Sequence, residues 1–141
     1  MKTLLLSLIL LSSFNAQAQS LPSCLDLAKK WIYANTSGGS SEAAEKAMAF
    51  CSQGGKASCL DGAKTWIYSN TSGGSSEAAN KAIHYCSRGA DPSCLEPTKK
   101  WIYANTSGGS SEAAEKAIEV CRGQVRCESS SGFSAISKAI K

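Results

Sequence analysis

The sequence predicts an all-α fold: a short right-handed α-solenoid of three helical hairpins with a truncated fourth unit, cross-linked by disulfides. Three observations predict it. Cysteines and tryptophans recur at a 35-residue step (Cys24, Cys59, Cys94; Cys51, Cys86, Cys121; Trp31, Trp66, Trp101), and a period in that range is the mark of stacked supersecondary units. Within each unit the apolar residues fall twice into helical spacing. The seven cysteines all follow an export-type leader, and regularly spaced cysteines outside the cytosol are read first as disulfides. The handedness is taken by analogy from other helical-hairpin repeats.

The leader comes first. Lys2 supplies a positive start, Leu4 to Leu11 form an almost unbroken apolar run, and Ala16-Gln17-Ala18 gives a small-x-small cleavage pattern. Residues 1–18 are therefore expected to be a signal peptide, too short to span a bilayer with these flanks. Three 35-residue repeats follow within 19–127 (about 23–57, 58–92 and 93–126). Residues 127–141 then make a C-terminal capping segment with Phe133, Ile136 and Ile140 on an amphipathic stretch.

In the first half of each unit, Cys24, Leu25, Ala28, Trp31 and Ile32 lie on one helical face, and Trp31 is expected to supply the bulk of the packing. Ser23 with Asp26 reads as a capping box, repeated as Ser58 with Asp61 and Ser93 with Glu96. Pro97 sits in the first turn, where its cost is small. Asn35-Thr36-Ser37-Gly38-Gly39-Ser40-Ser41 breaks this first helix and supplies N-caps for the second. Glu42 lies in the second helix's first turn, where the helix dipole favours it. Ala43, Ala44, Ala47, Met48 and Cys51 form the second stripe, whose alanines let two helices approach closely. The product is an antiparallel pair of helices of about three turns each. One such hairpin cannot bury its apolar faces, whereas a capped stack can.

The cysteines allow two ladders. All first-helix cysteines begin a helix and all second-helix cysteines end one, so both sets gather along one edge. Pairing within hairpins joins Cys24 to Cys51 and leaves Cys127 alone. Pairing between hairpins joins Cys51–Cys59, Cys86–Cys94 and Cys121–Cys127 and leaves Cys24 unpaired. The second is favoured because the truncated fourth unit still begins with Cys127, although parity does not decide and both geometries are feasible. Cys24 would then be a free thiol or the link in a dimer through Cys24. Leu21-Pro22-Ser23-Cys24 also faintly resembles a lipobox, but Ser-Cys is the repeat's own helix start.

Helix B and its turn, Glu77-Ala78-Ala79-Asn80-Lys81-Ala82-Ile83-His84-Tyr85-Cys86 through Ser87-Arg88-Gly89-Ala90 to Cys94, resemble the Sel1-like repeat, a relative of the tetratricopeptide repeat, in its cysteine-rich exported form. There K-A-x-x-Y and a cysteine close the second helix, and a second cysteine follows with seven residues between, as from Cys51 to Cys59 and Cys86 to Cys94. The resemblance implies that those pairs are the disulfides and that the chain is an interaction scaffold. It covers the second helix and turn of two units and part of the third. The first helix departs from it, with Trp-Ile-Tyr where the family has Leu-Gly before a Tyr, and the Cys121 to Cys127 gap is two residues shorter. Penicillin binding and hydrolysis are ascribed to some members, but this chain has no Ser-x-x-Lys for that chemistry.

Candidate binding residues are Tyr33, Tyr68 and Tyr103, at the stripe's edge near the loop, and Asn35, Asn70 and Asn105, which open the loop repeated unchanged in all three units. Turn and cap chemistry explains the same loop without a ligand. The asparagines also open Asn-x-Ser sequons, glycosylated only in a host with that machinery. His84, the single histidine, is replaced by Ala49 and Glu119 in the other units and is expected at the surface. No catalytic set, metal site or cofactor is expected: one histidine forms no triad, and no Cys-x-x-Cys pair exists. The formal charge is +4, and +3 without Lys2, with lysines and acids interspersed; nucleic acid is therefore a poor partner. The expected protein is secreted or periplasmic, has no membrane span, and scaffolds a protein or peptide partner. The alternatives are a cell-wall or glycan-binding module, or a hydrolase of β-lactams or wall material by family analogy alone.

Overall fold

The computed structural model describes residues 20–122. The expected signal peptide and the 127–141 segment, with Cys127, lie outside them. Among the described residues there are six α-helices and no strands: α1 (Leu21–Asn35), α2 (Ser40–Ser52), α3 (Ala57–Asn70), α4 (Ser75–Cys86), α5 (Leu95–Asn105) and α6 (Ser110–Cys121), with one 3-10 turn at Pro92–Cys94 before α5. Helices α1 and α2, α3 and α4, and α5 and α6 pack most extensively on each other, which makes three consecutive hairpins. Each hairpin also touches the next, α1 against α3 and α4, α2 against α4, and α3 against α6. No helix is long and apolar enough to cross a membrane.

The seam inside each hairpin is built from small residues. Ala28, Ala43, Ala47, Ala63, Ala78 and Ala82 are all essentially fully buried, so the helix backbones approach closely. Bulk comes from Ile32, Ile67 and Ile102 on the first helices, each 0% exposed, and from the larger Phe50 and Tyr85 on the second helices of hairpins one and two. Trp31, Trp66 and Trp101 pack against the core as expected but are only half-buried, so they cover its edge and do not fill the seam. The reason is helical phase. Cys24, Ala28 and Ile32 are spaced by four and define the inward line, and Trp31 lies one residue off it.

That same line settles the disulfides. They join Cys24 to Cys51, Cys59 to Cys86 and Cys94 to Cys121, within hairpins and not between them. The expected pairs Cys51–Cys59, Cys86–Cys94 and Cys121–Cys127 are not formed, and Cys24 is not unpaired. A cysteine in phase with Ala28 and Ile32 faces its own hairpin's second helix, and antiparallel packing lays the start of one helix beside the end of the other. The Cα atoms stand 6.0, 5.8 and 5.9 Å apart, within disulfide reach. With Cys24 bonded to Cys51, a dimer through Cys24 has no thiol to form it. Three disulfides are consistent with an oxidising compartment.

The helix ends also differ from expectation. Helices α1 and α3 begin at Leu21 and Ala57, so Ser23 and Ser58 lie inside them and no capping box forms. Before α5, Asp91 accepts a hydrogen bond from the Ser93 backbone N–H and nucleates the 3-10 turn. Helices α2, α4 and α6 start from extended Gly39, Gly74 and Gly109, with no serine side-chain cap. Glu42, Glu77 and Glu112 stand in their first turns as expected. After the second helices, Gly54 and Gly89 adopt φ of 87° and 77°, the left-handed region open to glycine. A Cβ on neighbouring Gly55 would meet the Phe50 carbonyl oxygen at 2.6 Å, so this turn requires glycine for a close approach as well.

Candidate interaction surface

The loop after each first helix begins with two residues whose side chains close that helix. Asn35, Asn70 and Asn105 donate through Nδ2 to the carbonyls of Trp31, Trp66 and Trp101, each at 2.8 Å. Thr36, Thr71 and Thr106 donate through Oγ1 to the carbonyls of Ile32, Ile67 and Ile102. The Ile32, Ile67 and Ile102 carbonyls also accept the backbone N–H of the same threonine, so the hydroxyl adds a second bond at each helix end. The unchanged Asn-Thr pair therefore has a structural task in every unit.

The asparagine's other end reaches the next hairpin. Lys64 Nζ donates to Asn35 Oδ1 at 2.7 Å, and Lys99 Nζ donates to Asn70 Oδ1 at 2.6 Å. Beside this contact runs a second. The Trp31 indole N–H donates to Asp61 Oδ1 at 3.0 Å, and that of Trp66 to Glu96 Oε2 at 2.9 Å. The acids read as capping residues are thus acceptors for the preceding hairpin's tryptophan. The Trp66 bond holds the Glu96 carboxyl below the usual carboxylate range; partial burial opposes this, and the Lys100 charge assists it. On the other side of the stack, Lys81 bridges Glu77 and Glu115, at 3.2 and 2.6 Å. The Glu115 bond raises the lysine above its ordinary value against the opposing effect of burial. Tyr85, unlike the other tyrosines, is fully buried and donates to the Asp91 carbonyl at 2.7 Å; burial, with the Asp91 charge, pushes its phenol well up.

Of the expected binding residues, the structure separates the two kinds. Tyr33, Tyr68 and Tyr103 are 58%, 55% and 56% exposed. Each follows its buried isoleucine by one residue, on the opposite side from the tryptophan, and so projects outward at the same place on each hairpin. Asn35 and Asn70 are half-buried and have both ends of the amide engaged. Asn105 is exposed. His84 is exposed as expected.

A shallow, open groove of about 500 Å³ runs beside Trp66, lined by Asp61, Gly62, Thr65, Ser69 and Asn70. It exists because α3 carries small residues there. Gly62 and Thr65 stand where α1 has Leu27 and Lys30 and where α5 has Pro97 and Lys100. A second hollow, of about 310 Å³, lies between α4 and α6, among Glu77, Asn80, Lys81, His84, Glu115 and Glu119. The sequence reading missed the tryptophan–acid contacts. Their one visible signal is an acid two residues after each first-helix cysteine, at Asp26, Asp61 and Glu96, and a contact across 30 residues cannot be inferred from a single unit.

The described residues define a class: an all-helical protein of three disulfide-closed hairpins joined by a continuous apolar core and by polar side-chain contacts. No protein family, curated protein or solved structure matches the chain.

Proposed function

We propose that the chain is an exported, disulfide-stabilised repeat scaffold that binds a protein or peptide partner along its first helices, α1, α3 and α5. In this reading the hairpins continue one another as a right-handed α-solenoid, the protein is secreted or periplasmic, and its kinship is with Sel1-like repeats. That kinship rests on the hairpin pattern and not on the cysteine ladder. The observation that carries the reading is the row of exposed tyrosines at Tyr33, Tyr68 and Tyr103. Tyrosine is enriched in protein interfaces, where its ring buries area and its hydroxyl keeps a polar partner. The Trp66 groove beside α3 offers a recess on the same set of helices.

A binding screen of the oxidised protein against envelope and host proteins tests this. A partner held by the wild type and lost when all three tyrosines become alanine supports it. The absence of any partner sinks it. A glycan- or wall-binding module is the second reading, because tyrosine rings also stack on sugars. The inward commitment of Asn35 and Asn70 weakens it, since those amides were its polar half. Sedimentation with purified wall, abolished by the same triple substitution, would favour it over the first.

A further inference from the structure

Both internal junctions use the same two contacts. The leading hairpin gives a tryptophan N–H and an asparagine carbonyl; the following one gives an acid and a lysine. The second junction adds Lys81 to Glu115, and the first lacks that pair because Asn80 stands where Glu115 would be. The two ends of the described structure therefore hold the two unspent halves of one junction. Hairpin one presents Asp26 and Lys29, the counterparts of Asp61 and Lys64. Hairpin three presents Trp101 and Asn105, the counterparts of Trp66 and Asn70. Among the described residues, none of these four makes the junction contact its counterparts make.

Exposure follows the same logic. Lys29 is exposed where Lys64 and Lys99 are half-buried, and Asn105 is exposed where Asn35 and Asn70 are half-buried. Leu25 is half-exposed where Leu60 and Leu95 are 0% exposed. The third contact also has both its halves: Lys116, counterpart of Lys81, on the trailing face, and Glu45, counterpart of Glu115, on the leading one.

We infer that a second copy of this chain docks head-to-tail, its Asp26 and Lys29 receiving Trp101 and Asn105 of the first, as a fourth repetition of the hairpin junction. The chain's own residues after α6 suit that face less well. In the fourth unit the acid Glu128 follows Cys127 directly, one position early, and the place of the lysine, five residues after the cysteine, is taken by Gly132. A second copy carries both at the register the internal junctions use. Such a contact is heterologous, joining different faces of the two chains, so it propagates into an open chain of copies and does not close as a two-fold dimer.

The test is the mass of the oxidised protein by light scattering or sedimentation across a range of concentrations, with a charge swap. The expected result is mass growing past two copies as concentration rises. Asn105→Lys places a lysine against the incoming Lys29, and Lys29→Glu places a carboxylate against the Asn105 carbonyl. Each alone should raise the concentration needed for assembly by about tenfold or more, and the two together in one chain should restore it. Both positions are exposed, and circular dichroism checks that each variant keeps its helices. A single-chain mass at every concentration overturns the inference. Association that neither variant changes, or that stops at two copies, overturns it equally.

Discussion

The seam inside a hairpin and the junction between hairpins are made of different materials. The seam is apolar and covalent: alanines at near-zero exposure, one isoleucine, one disulfide. The junction adds polar contacts to an apolar core that continues from hairpin to hairpin: an indole on a carboxylate, an ammonium on an amide and one bridging ion pair, beside buried residues such as Phe50, Leu60, Leu95 and Ile118. The difference teaches that each hairpin is closed covalently on itself, while its join to the next rests on shared apolar burial and on specific polar bonds with no covalent link. A between-hairpin ladder would have made the stack one covalent rod. The observed ladder makes it a string of closed units.

The comparison breaks most severely at the seam. Replacing Cys59 and Cys86 together by alanine opens a crosslink spanning 27 residues of sequence. The chain-entropy argument sets the loss at about 3.5 kcal/mol, read as a lowered midpoint in denaturant. A non-reducing peptide map of the wild type should recover Cys24 linked to Cys51, and recovery of Cys51 linked to Cys59 would reverse the account of the seam. Overfilling comes next. Ala82 is 0% exposed between α3 and α4, and Ala82→Leu should cost about 1–3 kcal/mol by the same measurement.

Much of the seam was legible in the sequence and little of the junction was. The period follows from comparing units, and the two helices per unit, the break at Asn35 to Ser41 and the outward tyrosines follow from spacing within one. The disulfide pairing is legible too, in the helical phase that Cys24 shares with Ala28 and Ile32, and this phase outweighs the hint from Cys127 at the start of the truncated fourth unit. The junction is different in kind. That Asp61 receives Trp31 depends on how one hairpin sits on another, and a local pattern, Ser58 with Asp61, offered a plausible helix cap in its place. Asn35 shows the same ambiguity. Its repetition looked like a binding face, and its work is to cap one helix and receive a lysine from the next hairpin.

At the junction the effects are smaller and diagnostic. Trp66→Phe removes the N–H that reaches Glu96 and keeps most of the ring. It should cost about 1 kcal/mol, the usual net worth of one hydrogen bond. Trp101→Phe has no such acceptor among the described residues, so in dilute protein its cost should be near zero. Equal losses at the two positions would show that the tryptophans act through ring packing alone, and that the polar contact is incidental.

The smallest effect is in pH. Glu96 is held below its ordinary value of 4.5, first by the Trp66 hydrogen bond, so in acid the unfolded chain takes up the proton before the folded one. Stability from this group is present above the ordinary value and is lost as pH falls through the depressed one. The wild type should therefore weaken from about pH 4.5 downward more than Glu96→Gln does, in denaturant midpoints taken at matched salt. Lys81 has the opposite sign. Its raised value gives stability present below the ordinary lysine range and lost as pH rises through the shifted one. The two junction groups thus bracket a plateau, and only the acid edge should flatten when Trp66 is replaced by phenylalanine. If the acid edge persists unchanged in Trp66→Phe, the indole is not what holds the Glu96 proton off, and the junction owes its acid sensitivity to Lys100 instead.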